Sequence, residues 1–208
     1  MLKLIILKER EKKMNIIVFD TETASMNKRF IYNLGYVVYD TETGELLKMK
    51  DLVINQVWHN KMLFATAYYG EKRPLYVKSL RSRKSQLKKW GFACRELERD
   101  ILKYGVRKIY AFNSSFDESA FKMNCEWYKN KNPLRLCEVC DIRKIVKSKI
   151  TDTKEYKDFC LKNQLLTEKG NIKTSAESIY RYLKNDTGFI EDHTALSDSL
   201  IELKILLA

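Results

Sequence analysis

The stretch NIIVFDTETASM, residues 15–26, decides the fold. Ile16, Ile17, Val18 and Phe19 form an apolar run without polar alternation, as a strand buried on both faces does. The run stops at Asp20, and Glu22 follows two residues later. Strand side chains alternate between faces, so these two carboxylates share one. Like charges side by side at the end of a core strand repel, and a cation between them is the arrangement that best tolerates this. The tetrapeptide Asp-Thr-Glu-Thr recurs in GYVVYDTETGEL, residues 35–46, again after an apolar run. This second copy lies between two strand-like segments and ends in Gly44, a residue type that supplies positive φ in tight turns. It therefore reads as a hairpin turn whose acids, Asp40 and Glu42, point to water. The first copy is the chemical one.

Outward from that strand, 30–40 and 45–54 read as the two arms of the hairpin. Residues 55–80 are rich in aromatics and bases and fit no single element. Residues 82–104 carry Leu87, Trp90, Leu97, Ile101 and Leu102 at helical spacing. A buried strand is expected at 106–113, and a helix at 115–130 with acids in its first turn. A strand entering a helix or loop follows at 136–146, with helices near 154–164 and 174–185. A last helix runs from about Thr194, a possible N-cap, with Leu196, Leu200, Leu203 and Leu207 on one face. Three strands followed by alternating helices and strands make an α/β chain. Its mixed sheet is an antiparallel meander extended by parallel strands and flanked by helices.

The 208 residues suit one domain, expected over 14–208, with 1–13 as an N-terminal extension and Met14 as an alternative start. A composition 45% apolar and 12% aromatic supports a core and excludes a disordered tail. Lysine and arginine number 39 against 27 acids, a net charge of +12, which points to a polyanionic partner with nucleic acid foremost. No apolar run is long enough to span a membrane, and the N-terminus lacks a signal-peptide pattern. Five cysteines, an odd number, fit reduced thiols and a cytoplasmic location. Cys137-x-x-Cys140 is half of a zinc pattern without its second half, so buried free thiols are the expectation. The lysine- and asparagine-rich composition also suits an AT-rich genome, such as that of a phage or mobile element.

Two more motifs converge on the first tetrapeptide. YAFNSSFDESAF places Asp117 at a helix start just after a strand, four residues beyond Asn113. EDHTALSDSLIEL places His193 five residues before Asp198 at the start of the last helix. In order, Asp20-Thr21-Glu22-Thr23, Asn113 to Asp117, and His193, Ala195 and Asp198 resemble the motifs of the DEDD superfamily of 3′–5′ exonucleases, in its histidine-bearing branch. Polymerase proofreading subunits, ribonuclease T and exonuclease I belong to that group. The resemblance covers about 14–208, while 55–80 and 125–175 match nothing in it.

It implies a ribonuclease-H-like fold and hydrolysis at the 3′ end of single-stranded or frayed DNA, with RNA as the alternative substrate. Two Mg²⁺ or Mn²⁺ ions would be held by Asp20, Glu22, Asp117 and Asp198, hard oxygen ligands that favour such ions over zinc. Asp20 would bridge the two ions, and Thr23 would meet the 3′-terminal sugar, with Thr21 and Asn113 as further substrate contacts. His193, with an ordinary pKa of about 6.5, would be the general base. Five residues of helix turn two side chains about 140° apart, so His193 and Asp198 face one site only if the histidine precedes the helix. Phe30, Tyr32, Trp58, Phe64, Tyr68 and Tyr69, interleaved with Lys61, Lys72 and Arg73, supply candidate base-stacking residues, most of them expected in the core. Two rival readings are a catalytically silent nucleic-acid-binding protein on this fold and a zinc-stabilised interaction module. No protein partner is inferable.

Overall fold

A computed structural model describes residues 14–208. The extension expected at 1–13 lies outside the described residues. The strands are β1 (Asn15–Ala24), β2 (Phe30–Asp40), β3 (Leu46–Ile54), β4 (Gln86–Lys88), β5 (Lys108–Ala111) and β6 (Glu138–Asp141), in the sheet order β4-β3-β2-β1-β5-β6. β1, β2 and β3 pair antiparallel, and β5, β6 and β4 add parallel strands at the two ends. The helices are α1 (Asn55–Trp58), α2 (Lys61–Phe64), α3 (Arg73–Arg81), α4 (Trp90–Tyr104), α5 (Ser115–Trp127), α6 (Ile142–Val146), α7 (Lys154–Lys162), α8 (Ala176–Lys184) and α9 (Ala195–Leu206). Among the described residues no helix is long and apolar enough to cross a membrane.

Strand alternation divides the core. Ile17 and Phe19 of β1 pack with Trp90 and Leu97 of α4 and Phe121 of α5. Ile16 and Val18 pack on the other face with Ile201, Leu203 and Ile205 of α9, Ile179 of α8 and Tyr156 of α7. A third cluster gathers Phe30, Tyr32, Trp58, Phe64 and Tyr76 of α3, the last four linked by edge-on ring contacts. Four of the six candidate stacking aromatics are thus core residues. Arg73 lies over the Trp58 and Phe64 rings.

Several local expectations need correction. The helix expected over 82–104 begins at Trp90, because Gln86–Lys88 pairs in parallel with β3. The second tetrapeptide is a hairpin turn, with Gly44 at φ +75°. Glu42 is exposed there, but Asp40 does not point to water. Its buried Oδ1 accepts the N–H groups of Glu42 at 2.9 Å and Thr43 at 3.3 Å, the local turn that aspartate favours. α9 is buried on more than one face, through Ala195, Ser199, Ile201, Leu203 and Ile205, whereas Leu207 is exposed. Cys137 packs against one core layer and Cys140 against the other, as opposite strand parity requires, so the two thiols do not converge on one ion.

Candidate active site

The parity that buries Ile16 and Val18 against α9 carries Asp20 and Glu22 to the same side at the strand end. A register shift between Glu22 and Thr23 interrupts the ladder there, as bulges do where a strand end is re-aimed. Asp198 enters from the first turn of α9. One carboxylate oxygen each from Asp20, Glu22 and Asp198 lies within 4.8 Å of the others.

Two features bring α9 this close. Gly35 of β2 is the register partner of Asp20 and carries no side chain toward the helix. A Cβ there would lie 2.1 Å from the Ala195 carbonyl carbon and from the Leu196 nitrogen. Asn33, fully buried two residues earlier, accepts the Ala195 N–H at 2.9 Å and the Tyr76 hydroxyl at 3.1 Å. Its amide donates to Asp51 at 2.6 Å. Thr194 occupies the N-cap position with no side-chain cap, so β2 rather than Thr194 satisfies the first N–H of α9. The Ser199 hydroxyl donates to the Gly35 carbonyl at 3.1 Å and fastens the next turn.

Asp117 arrives from the opposite layer. Thr21, of odd parity, faces α5, and its hydroxyl donates to Asp117 Oδ1 at 2.6 Å. Thr21 lines the cleft as well, and its hydroxyl holds that carboxylate in place. Thr23 and Asn113 line the cleft, Asn113 at φ +61° with its N–H donating to Asp141 at 3.1 Å. His193 lies ahead of α9 at φ +51°. Its ring stacks on Tyr69, centroids 4.0 Å apart and planes 5° from parallel, and its Nδ1 is 3.8 Å from Glu191 Oε2. Tyr69 and exposed Tyr68 are the two candidate aromatics that line the cleft. The cleft encloses about 880 Å³.

Glu202 is the residue that sequence reading missed. It is buried one helical turn beyond Asp198, and its Oε2 accepts the Phe112 N–H at 3.2 Å, tying α9 to the loop that leads to Asp117. Its only sequence signal was i, i+4 spacing from Asp198.

The crowded carboxyls hold their protons far above the usual range. Burial and then Asp198 push Glu22 up to about 9. Burial and then Glu191 push Asp198 up to about 8. Burial raises Asp117 to about 7, against the hydrogen bond from Thr21. Asp20 and Glu202 are raised well above the ordinary value, by burial first and then by Asp117. Burial and then Lys72 lower the His193 imidazole. Asp198 Oδ1 is buried with no hydrogen-bond partner. An oxygen-only donor set, mutually repelling and with an orphaned oxygen, fits a hard divalent cation.

No protein-family model matches the sequence, and no curated protein matches it significantly. Solved structures do resemble it. A 3′-exonuclease, in a structure of 3′-end-specific recognition of the histone mRNA stem-loop, has a TM-score of 0.57 at 13% identity, over 96% of this chain and 66% of its own. The nuclease domain of 3′hExo, a DEDDh family member, bound to rAMP, has a TM-score of 0.50 at 13% identity, over 94% of this chain and 90% of its own. The fold is ribonuclease-H-like. The described chain thus spans nearly the whole of the nuclease domain but only about two thirds of the longer protein.

Proposed function

We propose that the chain is a metal-dependent 3′–5′ exonuclease that hydrolyses the terminal phosphodiester of a single-stranded or frayed DNA end and releases 5′-mononucleotides. The observation that supports this reading best is the convergence of Asp20, Glu22, Asp117, Asp198 and His193 on one cleft, from three elements and a loop, in a nuclease fold. Two Mg²⁺ or Mn²⁺ ions held by the carboxylates would activate water, neutralise charge at phosphorus and stabilise the leaving oxygen. Asp20, Glu22 and Asp198 would hold the ion that activates the water, and Asp117 would help to hold the other. His193 accepts the proton of the attacking water. Burial and Lys72 keep the ring neutral near pH 7, and its Nδ1 lies on the Glu191 side, which leaves Nε2 as the acceptor. Thr23 meets the terminal sugar, and Tyr68, Met26 and Phe116 offer apolar faces to bases along the cleft. The basic excess holds upstream phosphates, so binding weakens steeply with salt.

RNA is the second reading, favoured because one similar structure concerns an mRNA stem-loop and the other holds rAMP. The test uses DNA and RNA oligonucleotides labelled at the 5′ end, single-stranded or annealed, with and without a 3′-phosphate. A descending ladder of products is expected, faster on single strands and blocked by the 3′-phosphate. A single internal cut, or digestion indifferent to the 3′-phosphate, would overturn the reading. The relative rates on the two sugars decide between DNA and RNA.

A further inference from the structure

We infer that Glu177, Glu191 and His193 form a separate cation site of nitrogen and oxygen donors, suited to Zn²⁺, beside the all-oxygen cluster. They come from α8 and the loop that follows it. Each offers one ligand atom, and these atoms all lie within 4.8 Å of one another. His193 Nδ1 and Glu191 Oε2 are 3.8 Å apart. Tetrahedral zinc, with bonds of about 2.0–2.2 Å, spaces its ligands roughly 3.4 Å apart, so a small closure of side chains seats an ion.

A second observation points to a ligand. Glu191 is only 9% exposed, and its Oε1 is buried with no hydrogen-bond partner. A buried carboxylate oxygen without a partner is costly. Arg181 does not reach that oxygen: its guanidinium lies 2.9 Å from Glu177 Oε1, and its Nε donates to the Phe189 carbonyl at 2.7 Å. The other oxygen of Glu177 accepts the Glu191 N–H at 3.1 Å. Glu191 thus keeps one oxygen without a partner while its other oxygen faces the imidazole Nδ1 at 3.8 Å. An imidazole donor selects Zn²⁺ or Co²⁺ over Mg²⁺, the reverse of the neighbouring cluster's preference.

The site carries a consequence that rests on the proposed role of His193 as base. With Nδ1 bound to an ion, the proton of the neutral ring sits on Nε2, which then has no lone pair to accept a proton from water. Tyr69 stacked on the ring keeps it in place. Zinc at this site therefore arrests the nuclease while leaving the oxygen cluster free to hold Mg²⁺.

The experiment titrates Co²⁺, as a coloured stand-in, into the full chain with Mg²⁺ in excess, follows the visible ligand-field bands, and back-titrates with Zn²⁺. One Co²⁺ per chain is expected, displaced by Zn²⁺. Glu191→Gln and Glu177→Gln should each weaken it at least about tenfold, and Asp20→Asn should leave the bands intact. Circular dichroism establishes that each variant is folded. In parallel, nuclease rate is read as the ratio with and without Zn²⁺, and that ratio should return toward one in Glu191→Gln. Absent bands, or bands that survive both glutamine variants and vanish in Asp20→Asn, would overturn the site. Bands as expected with no slowing by Zn²⁺ would uphold the site and refute His193 as base.

Discussion

Gly35→Ala tests the packing that assembles the candidate site. The added methyl would sit 2.1 Å from two backbone atoms of α9 and 2.4 Å from the Ala195 carbonyl oxygen. Carbon contacts relax at about 3.5 Å, so β2 and the helix start must separate by roughly 1.4 Å. Neither side of the contact is a flexible side chain. Overpacking of this kind costs about 1–3 kcal/mol, here at the upper end, which in a chain of this length lowers the melting temperature by roughly 6–12 °C. The movement also stretches the Ala195–Asn33 and Ser199–Gly35 bonds and carries Asp198 away from Asp20 and Glu22. A displacement near 1 Å at a reacting centre costs about 100-fold in rate. The assay is single-turnover cleavage of a labelled single strand well below the melting temperature, with Mn²⁺ affinity measured by calorimetry. Both rate and affinity should fall while far-ultraviolet circular dichroism stays native. A variant that melts within about 1 °C of wild type and keeps its rate would refute the claim that Gly35 sets the height of α9 over Asp20.

Asp20→Ala and Asp198→Ala should each lower the rate by about 10²–10³-fold or more, the several kcal/mol that metal-assisted charge stabilisation supplies. Asp40→Ala/Glu42→Ala should keep near-normal activity and lose about 1 kcal/mol of stability through the broken turn, so a large activity loss in that pair would mean that the wrong copy of the tetrapeptide was chosen. Burial and Asp198 raise the Glu22 carboxyl from 4.5 to about 9, so the folded chain holds a proton that the unfolded chain has released, and Glu22 alone lowers metal-free stability by about 1.4 kcal/mol per unit as pH rises between about 4.5 and about 9. Melting curves in chelator should descend over that window and descend less steeply in Glu22→Gln; parallel slopes would remove the crowding argument. Glu202→Gln keeps an acceptor for the Phe112 N–H and removes the cost of protonating a buried carboxyl on folding, so the metal-free protein should melt higher near neutral pH while Mn²⁺ affinity drops about 10–100-fold by calorimetry.

Much of the candidate site was legible in the sequence because its signals are local. Strand parity alone puts Asp20 and Glu22 on one face, and the helix-start position of Asp117 follows from a breaker after a short apolar run. Helical arithmetic separates His193 from α9, where φ +51° now places it. The distinction between the two identical tetrapeptides also needed only their neighbours, since Gly44 makes one of them a turn. By contrast, β4 could not be read from Gln86–Lys88. Three residues carry no period, and their strand conformation exists only because β3 offers an open edge.

Local sequence singles out the candidate residues for the chemistry and the strand that holds the first pair, because alternation and breakers act over a few residues. How they meet is a matter of long-range packing. Thr21 reaches Asp117 across the sheet end, 96 positions apart in the chain, and Asn33 receives the first N–H of α9 from 162 positions away. Glu202 joins the cleft, and Phe30, Tyr32, Trp58 and Phe64 leave it for a core of their own, through packing partners equally remote in sequence. Nothing at a single position encodes a distance to another element. That distance follows from which layers close on each other, and here it is the missing side chain of Gly35 that lets the last helix descend onto the strand beside Asp20.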